Sequence, residues 1–206
     1  MKVLGIVGSR RKNGNTSVLV KESLKPFREK GIDTELIFLG DLDFQSCNGC
    51  NRCKDSFRCV INDDMQEVYT KMFESDGIIL GSPTYFYNVT AGVKAFIERC
   101  FCLDFFDEGD RSVWVSVNDA IPRKYASVIN VSEQHTEEDS GVALDVMCDS
   151  LESFGYRIVG KVKALGLFAA GEASNDKIAL SQAYKAGERL LKTINLKNSI
   201  KQKIEE

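Results

Sequence analysis

Residues 1–17 read MKVLGIVGSRRKNGNTS, and this stretch decides the fold. Residues 3–7 form a short, continuous apolar run that predicts a buried strand, and Gly8-Ser9 ends it. A polar, basic loop then leads to Asn15, Thr16 and Ser17, residue types that favour the start of a helix. A buried strand, a turn and a helix in this order predict the first unit of a parallel α/β sheet.

The same alternation continues along the chain. Further apolar runs predict strands at 34–39, 77–80, 126–131 and 157–164. Helical periodicity predicts helices at 16–30, 64–74, 91–100, 139–154 and 175–196. Five strands joined by helices predict an α/β fold with a doubly wound, flavodoxin-like parallel sheet in the order 2-1-3-4-5, within three α/β/α layers. We expect one domain over residues 1–206, with a cysteine-rich loop at 41–63 and an excursion at 103–124.

Composition and charge exclude several classes of protein. A chain that is 43% hydrophobic and 28% charged is not expected to be disordered. Its net charge of −3, without a basic stripe, argues against nucleic acid as a partner. The first residues lack the length and flanks of a signal peptide, and no apolar run approaches the roughly 18 residues of a membrane span. We therefore expect a cytoplasmic protein that binds neither nucleic acid nor membrane.

Ligands of doubly wound sheets bind beyond the carboxyl ends of the strands, so the loops there are the candidate binding segments. The loop at 8–17 brings hydroxyls, an amide and Arg10 to a helix N-terminus, where free N–H groups and the helix dipole favour phosphate. It contains neither G-x-G-x-x-G nor a Gly-Lys-Ser/Thr sequence, so a monophosphate fits better than a pyrophosphate. The alternative is an ordinary capped helix preceded by a solvated loop.

The loop after the third strand reads GSPTYFYNVTAG over residues 81–92 and carries three consecutive aromatic residues. Pro83 restricts the backbone. Flat apolar side chains beside backbone N–H groups suit a ring that is apolar on its faces and polar at its rim, such as an isoalloxazine. The alternative is that Tyr85, Phe86 and Tyr87 pack the loop or a subunit interface.

The segments GSRRKNGNTS (8–17) and SPTYFYNVTAGVKAFIER (82–99) resemble the flavodoxin-like NAD(P)H-dependent FMN reductase family. The resemblance extends from the first strand to the last helix. It implies that the first loop holds the FMN phosphate and the second lies against the isoalloxazine. The family often has a glycine-rich third loop, whereas residues 131–135 here contain no glycine. The implied cofactor-binding residues are Ser9, Arg10, Asn15, Thr16, Ser17, Pro83, Thr84, Tyr85, Phe86, Tyr87, Asn88 and Ser132, and the resemblance implies no catalytic side chain.

Four of the seven cysteines, Cys47, Cys50, Cys53 and Cys59, spell C-x2-C-x2-C-x5-C. Spacings of three residues can turn thiolates toward one centre, and a cubane cluster needs four such ligands. Zinc sites more often use two distant pairs, so the spacing favours a [4Fe–4S] cluster. The motif resembles that of the iron–sulfur flavoproteins, a branch of the same family whose members hold such a cluster beside FMN. The alternatives are zinc, free thiols or a thiol/disulfide switch, and Cys100 and Cys148 are predicted to be core residues.

These observations predict an FMN-dependent oxidoreductase that couples one-electron and two-electron transfer. The resemblance implies NAD(P)H or ferredoxin as electron donor and a small-molecule acceptor, and we expect a homodimer or homotetramer. One alternative is an NAD(P)H-dependent FMN or quinone reductase without a cluster, and another is a non-enzymatic redox-sensing or electron-carrier module. The excursion at 103–124 is expected to be a lid, an interface or a solvated loop.

Overall fold

A computed structural model describes residues 1–56, 58–121 and 124–206. Residues 57, 122 and 123, which belong to the predicted segments 41–63 and 103–124, lie outside the described residues. The elements in chain order are β1 (Lys2–Val7), α1 (Asn15–Arg28), β2 (Asp33–Phe38), α2 (Met65–Glu74), β3 (Gly77–Pro83), α3 (Ala91–Arg99), β4 (Asp104–Phe106), β5 (Trp114–Ser116), α4 (Val117–Ala120), β6 (Lys124–Val131), α5 (Ala143–Ser153), β7 (Tyr156–Ala164) and α6 (Lys177–Glu205).

Five strands form one parallel sheet in the order β2-β1-β3-β6-β7. Because β4 and β5 form a separate antiparallel hairpin, this order is the predicted 2-1-3-4-5, and the predicted fold class is confirmed. From β1, the chain adds β2 on one side of the sheet and then β3, β6 and β7 on the other side. The loops after β1 and β3 therefore leave the same edge of the sheet next to each other.

The core lies in two layers, one on each face of the sheet. In β1, Val3 and Val7 pack with α1 and α6, whereas Leu4 and Ile6 pack with α2, α3 and α5. Gly5 brings α1 close, since a Cβ atom there would lie 2.8 Å from Leu24 Cδ1. The two apolar layers hold the sheet rigid, and they therefore fix where its carboxyl edge presents the loops.

Two helix boundaries differ from the prediction by more than two residues. The helix predicted at 139–154 begins only at Ala143, because Gly141 has a φ of +69° that interrupts helical geometry. The last helix continues nine residues past the predicted end, to Glu205, supported by a salt bridge between Lys201 and Glu205 one turn apart. None of the helices in the described ranges is both long enough and apolar enough to cross a membrane.

The excursion at 103–124 is more regular than predicted. Asp104–Phe106 pairs with Trp114–Ser116 in a hairpin, and the short helix Val117–Ala120 follows, begun by a capping box between Ser116 and Asp119. Phe106 contacts Trp114 with ring centroids 6.3 Å apart. Cross-strand aromatic packing stabilises such a hairpin, so these residues have a regular structure that the sequence analysis did not predict.

Candidate functional site

A cavity of about 530 Å³ opens at the carboxyl edge of the sheet. Its walls come from the loops that follow β1, β3, β6 and β7. A cavity of this size is in the range that binds cofactors and drug-sized ligands. Nine of the predicted cofactor-binding residues line it: Ser9, Asn15, Thr16, Pro83, Thr84, Tyr85, Phe86, Tyr87 and Ser132.

One end of the cavity is the N-terminus of α1. Gly14 is the N-cap residue, and within the described chain no side chain caps the helix and no acid occupies its first turn. Asn15, Thr16 and Ser17 are all buried there. The hydroxyl of Ser17 has no hydrogen-bond partner among the described residues, although its oxygen is buried. Bare N–H groups and an unpaired buried hydroxyl fit an anion such as a phosphate.

The two arginines of the first loop point to different places. Arg11 lines the cavity, and its Nη1 donates to the carbonyl oxygen of Phe168 at 3.3 Å. Arg10, the predicted phosphate ligand, does not line the cavity and lies against Gly40, where a Cβ atom would be 2.9 Å from Arg10 Cγ. Ser17 and Asn88 also lie outside the lining. The structure therefore places a cation at the cavity, one residue from the predicted position.

Asn15 ties the first loop to the loop after β7. Its Nδ2 donates to the Ala169 carbonyl at 2.9 Å, and its Oδ1 accepts from the Ala173 N–H at 3.0 Å. Both bonds go to protein, so the Asn15 side chain positions a wall of the cavity. That wall includes Leu167 and Phe168, which the sequence analysis missed. The position of this loop could have indicated its role, because β7 ends at the same sheet edge as the other loops of the cavity. The loop begins with Gly166, a glycine at positive φ.

The aromatic loop forms a tight turn at the other end of the cavity. Tyr85 and Asn88 bond each other's backbones at 2.8 and 3.1 Å. Between them, Phe86 and Tyr87 have φ of 48° and 64°, as in type I′ turns, which usually contain asparagine and glycine. Phe86 is 98% exposed. A strained turn with an exposed aromatic at its tip is typical of a functional loop.

Gly141 holds that turn in place. A Cβ atom on Gly141 would lie 2.2 Å from the Tyr87 carbonyl oxygen, so only glycine fits. The next residue, Val142, donates its N–H to the same oxygen at 2.8 Å. Thr84 is fixed as well, since its N–H donates to the Val131 carbonyl at 2.7 Å. The aromatic wall is therefore built before any ligand arrives.

The loop after β6 closes the remaining side. Ser132 is buried, and its hydroxyl oxygen accepts from the Gln134 N–H at 3.2 Å. The Ser132 carbonyl accepts from the Leu167 N–H at 3.0 Å, which joins this loop to the one after β7. Glu133 and Asp139 add two carboxylates to the lining, and Arg11 is the one cation among the described residues that line the cavity. A phosphate is therefore favoured only at the end formed by α1 and Arg11.

The four predicted metal-binding cysteines lie on one exposed loop after β2. Cys50 is exposed, Cys47 and Cys59 are half-buried, and Cys53 is buried. Hydrogen bonds from the backbone and then the side chain of Arg52 lower the pKa of Cys50, whereas burial raises the pKa of Cys53. The Gly49 N–H donates to Cys47 Sγ at 3.4 Å. The surroundings of Cys50 favour a thiolate, and Cys47 Sγ has a backbone donor of the kind that bonds to cluster ligands.

The cysteines are not gathered at one point. Over residues 1–56, 58–121 and 124–206, no three His, Cys, Asp or Glu side chains form a group that could hold a metal ion. The donor chemistry nevertheless fits a cluster, because one loop carries four thiols and its two positive-φ residues, Gly49 and Asn51, let it curl. Cys100, Cys102 and Cys148 are buried, which confirms the prediction of core positions for Cys100 and Cys148.

The base of the cysteine loop is closed. The Asp43 N–H donates to Asp64 Oδ2 at 2.7 Å, and the Asp64 N–H donates to the Asp43 carbonyl at 3.3 Å. Gln66 Nε2 donates to the carbonyls of Cys59 and Ile61, both at 2.7 Å. We call this closure, Asp43 with Asp64, the neck of the cysteine loop. It fixes the two ends while the middle stays exposed.

Known proteins resemble this chain over most of its length. The sequence profile of the family described as "NADPH-dependent FMN reductase" matches residues 1–136. An iron–sulfur flavoprotein of Methanocaldococcus jannaschii is 36% identical over 199 residues, which cover 95% of this chain and 98% of that protein. An iron–sulfur flavoprotein of Methanosarcina thermophila is 39% identical over 103 residues, about half of each chain (50% and 54%).

Solved structures share the fold. An NAD(P)H:quinone oxidoreductase from Methanothermobacter marburgensis superposes with a TM-score of 0.71 at 19% identity. The superposition covers 92% of this chain and 98% of that one. At this level of identity the likeness concerns the fold alone.

Proposed function

Because the chain belongs to the NADPH-dependent FMN reductase family, within the branch named iron–sulfur flavoproteins, and is an FMN-dependent oxidoreductase, we propose that it also carries a [4Fe–4S] cluster on Cys47, Cys50, Cys53 and Cys59. The two cofactors together would connect partners that exchange two electrons with partners that exchange one. The observation that carries the proposal is one chain with both a cofactor-sized cavity and a four-cysteine loop.

The cavity residues hold FMN in a defined direction. In this proposal the phosphate binds at the N-terminus of α1, near the Ser9 and Thr16 hydroxyls and the Arg11 guanidinium of the lining, with the buried Ser17 hydroxyl behind them. Pro83, Thr84 and the aromatic turn, with Ser132 opposite, are placed for the ring. The buried hydroxyl of Ser17 supports this assignment, since it lacks a partner among the described residues.

FMN supplies the redox chemistry when bound, and the protein supplies binding, orientation and electrostatics. The rigid turn at Phe86 and Tyr87 limits how the ring can tilt, because Gly141 and Val142 fix its backbone. The walls contributed by Leu167 and Phe168 reduce the access of water to the cavity. Within the described lining there is no histidine, so this role requires no histidine acid or base.

The cysteines suit a cluster by number and by environment. Four thiols from one short loop satisfy a cubane, and nearby N–H groups such as that of Gly49 can donate to sulfur. Binding of the cluster would bring the four thiols together, because metal binding supplies the free energy that orders the donor loop. The iron–sulfur flavoprotein from M. jannaschii supports the same assignment through its name and its identity along nearly the whole chain.

The electron partners follow from the family. NAD(P)H or ferredoxin is the proposed donor, a small molecule is the proposed acceptor, and neither nucleic acid nor membrane takes part. A cytoplasmic homodimer or homotetramer is the proposed working form. Stopped-flow reduction of the anaerobic protein by NADH, NADPH and reduced ferredoxin, compared side by side, identifies the donor.

The test is a cofactor inventory of protein purified without oxygen. We expect about four iron and four sulfide for each FMN, with an EPR signal on reduction. Iron and sulfide contents near zero, in protein that retains FMN, would refute the cluster. Chemical reconstitution with iron and sulfide serves as the control for cluster loss during purification.

A second candidate is an NAD(P)H-dependent FMN or quinone reductase without a cluster. The absence of an assembled metal group among the described residues favours it. In that case metal-free protein oxidises NAD(P)H at full rate, and Cys47→Ser leaves kcat unchanged. A rate that rises with the iron content of the preparation argues for the cluster instead.

A further inference from the structure

Arg99, the last residue of α3, is buried although it carries a charge. Its Nη2 donates to Asp63 Oδ1 at 2.9 Å, and its Nη1 donates to Asp63 Oδ2 in the same two-pronged pair. Burial alone would raise the pKa of Asp63, but the Arg99 guanidinium overcomes this and lowers it. Both partners are therefore charged. A buried ion pair is rarely kept for stability alone, so its position needs an explanation.

That position is the two ends of the cysteine loop. Besides Asp63, Arg99 Nη1 donates to the Gln45 carbonyl at 2.9 Å, and Nη2 reaches the Ile61 carbonyl at 3.5 Å. Gln45 precedes Cys47 by two residues, and Ile61 follows Cys59 by two residues. The Arg99 side chain thus joins the first and last segments of the cysteine loop, close to its neck. Bidentate arginine contacts fix geometry as well as charge.

Part of the loop between these ends is held only locally. The hydrogen bonds described for Cys47, Cys50 and Cys53 run to neighbours within three residues, such as Cys50 N–H to Asn48 Oδ1 at 3.2 Å. Cys47 and Cys50 can therefore move without breaking core contacts, whereas Cys53 and Cys59 pack against the core. With its ends joined by Arg99, the loop can gather its thiols without separating from the sheet.

Arg99 also leaves one donor free. Its Nε is buried and has no hydrogen-bond partner in the described part of the chain. The same guanidinium reaches the Ile61 carbonyl, two residues from Cys59, so this donor lies at the outgoing end of the cysteine loop. An unpaired buried N–H at that place fits a sulfur acceptor.

We propose that Arg99 is the positioning residue of the cluster site: it joins the ends of the cysteine loop and neutralises the Asp63 carboxylate there, which keeps the reduction potential of the cluster from falling. This inference rests on the proposed cluster. An unneutralised carboxylate would destabilise the more negative, reduced state, and it would do so strongly where water is excluded.

The experiment compares Arg99→Lys, Arg99→Gln and a matched control, Lys94→Gln. Lys94 lies on the same helix and carries the same charge, but it is exposed and paired with Glu98. Each protein is purified without oxygen. Its FMN content, its rate of iron release to a chelator, its cluster midpoint potential and the amide exchange of residues 43–64 are then measured.

We expect both Arg99 variants to retain FMN and to release iron roughly tenfold faster or more, as is common when a supporting residue of a metal site is lost. Arg99→Gln should also lower the midpoint potential, whereas Arg99→Lys, which keeps the charge, should not. Lys94→Gln should match the wild type in every measurement, because an exposed charge is screened.

Several results would overturn the proposal. An unchanged potential and iron-release rate in folded Arg99→Gln would refute the role of Arg99 while leaving the cluster intact. A wild-type protein without iron or sulfide would refute the cluster and, with it, the electrostatic role. The joining of the loop ends has its own readout in that metal-free protein, since Arg99→Lys should speed amide exchange at residues 45–63, and unchanged exchange would refute it.

Discussion

The cavity and the cysteine loop leave neighbouring parts of the same sheet, yet they are built in opposite ways. The cavity walls are bonded to one another: Asn15 to the loop after β7, Val142 to Tyr87, and Ser132 to Leu167. The cysteine loop is fixed at its ends by the neck and by Arg99, while the hydrogen bonds described for Cys47, Cys50 and Cys53 run only to near neighbours in the chain. The cavity walls are held in place by hydrogen bonds of the protein itself, whereas the cysteine loop would take its final form only around a cluster.

The difference follows from what each ligand requires. A flavin is a rigid molecule whose ring must be held at a set angle, so a preformed cavity avoids the entropy of ordering loops on binding. Four thiolates crowded together without metal would repel one another, so an open loop is the more stable metal-free state. Predictions that disturb one region should therefore leave the other unchanged.

The largest expected effect separates the two regions completely. Cys50→Ser should abolish the cluster, because a cubane lacking one thiolate ligand is unstable, while FMN stays at the wild-type level. Iron, sulfide and flavin contents measure this. Because Cys50 is exposed, the change disturbs no packing. The control is Cys148→Ala in α5, which should keep both cofactors, and loss of FMN from Cys50→Ser would mean that the regions are coupled.

Gly141→Ala tests whether the cavity is preformed. The new Cβ would meet the Tyr87 carbonyl, at a position whose φ is +69°, so we expect about 2–4 kcal/mol of destabilisation together with weaker FMN binding. Urea unfolding and flavin release measure the two effects. Gly92→Ala is the control, since its Cβ would meet only Leu39 Cβ at 3.9 Å, and it should stabilise α3 by up to about 1 kcal/mol. A cavity that tolerates Gly141→Ala is not preformed.

A smaller effect tests the phosphate end. Ser17→Ala should weaken FMN binding roughly threefold to tenfold, because one hydrogen bond contributes about 0.5–1.5 kcal/mol. The metal-free, FMN-free protein should become slightly more stable, since an unpaired buried hydroxyl is removed. Flavin fluorescence titration and urea unfolding measure both quantities.

Ser23→Ala is the matched control for that change. Ser23 lies on the same helix, and its hydroxyl is likewise buried without a partner in the described structure, but it lies six residues beyond Ser17, away from the N-terminus of α1. It should bring the same gain in stability and no change in FMN affinity. Equal affinity of the two variants for FMN would remove Ser17 from the phosphate site.

The smallest effect concerns Asp104, beside the turn that carries Cys100 and Cys102. Burial, with a smaller contribution from Asp119, raises the pKa of Asp104 to about 7. The folded protein therefore holds a proton that the unfolded chain releases near pH 4, so this group's contribution to stability declines from pH 4 to pH 7. Asp104→Asn should match the wild type in Tm at about pH 3.5, below the unfolded pKa, and exceed it by a few degrees at pH 8. FMN affinity should not change, and a constant difference in Tm would contradict the assignment.

Most of the fold could be predicted from the sequence, because buried strands such as β1 and β3 are recognisable as continuous apolar runs that end at glycine. It failed where tertiary contacts decide. Helix α5 starts later in the chain than predicted because Gly141 packs against the Tyr87 backbone. No local sequence pattern near residue 139 indicates that contact. The hairpin of β4 and β5 was hidden by its short strands and mixed polarity.

For the candidate site, the loops after β1 and β3 were found by their position and residue types. The choice between Arg10 and Arg11 was not readable, since adjacent side chains in a loop point in directions set by its fold. Phe168 and Arg99 were missed for a similar reason. Each reaches its site from a distant segment, Phe168 from the loop after β7 and Arg99 from the end of α3.

The neck between Asp43 and Asp64 gives the cysteine loop the character of an insert. Two backbone N–H groups close it, and neither bond depends on the residues enclosed. The length and content of the segment between them can change at little entropic cost to the sheet. A designer could exchange residues 47–59 for another metal-binding sequence, keeping Asp63 for Arg99 and an apolar residue at position 53, and leave the flavin cavity intact. The fold thus allows the cluster-binding segment to be replaced while the flavin site remains.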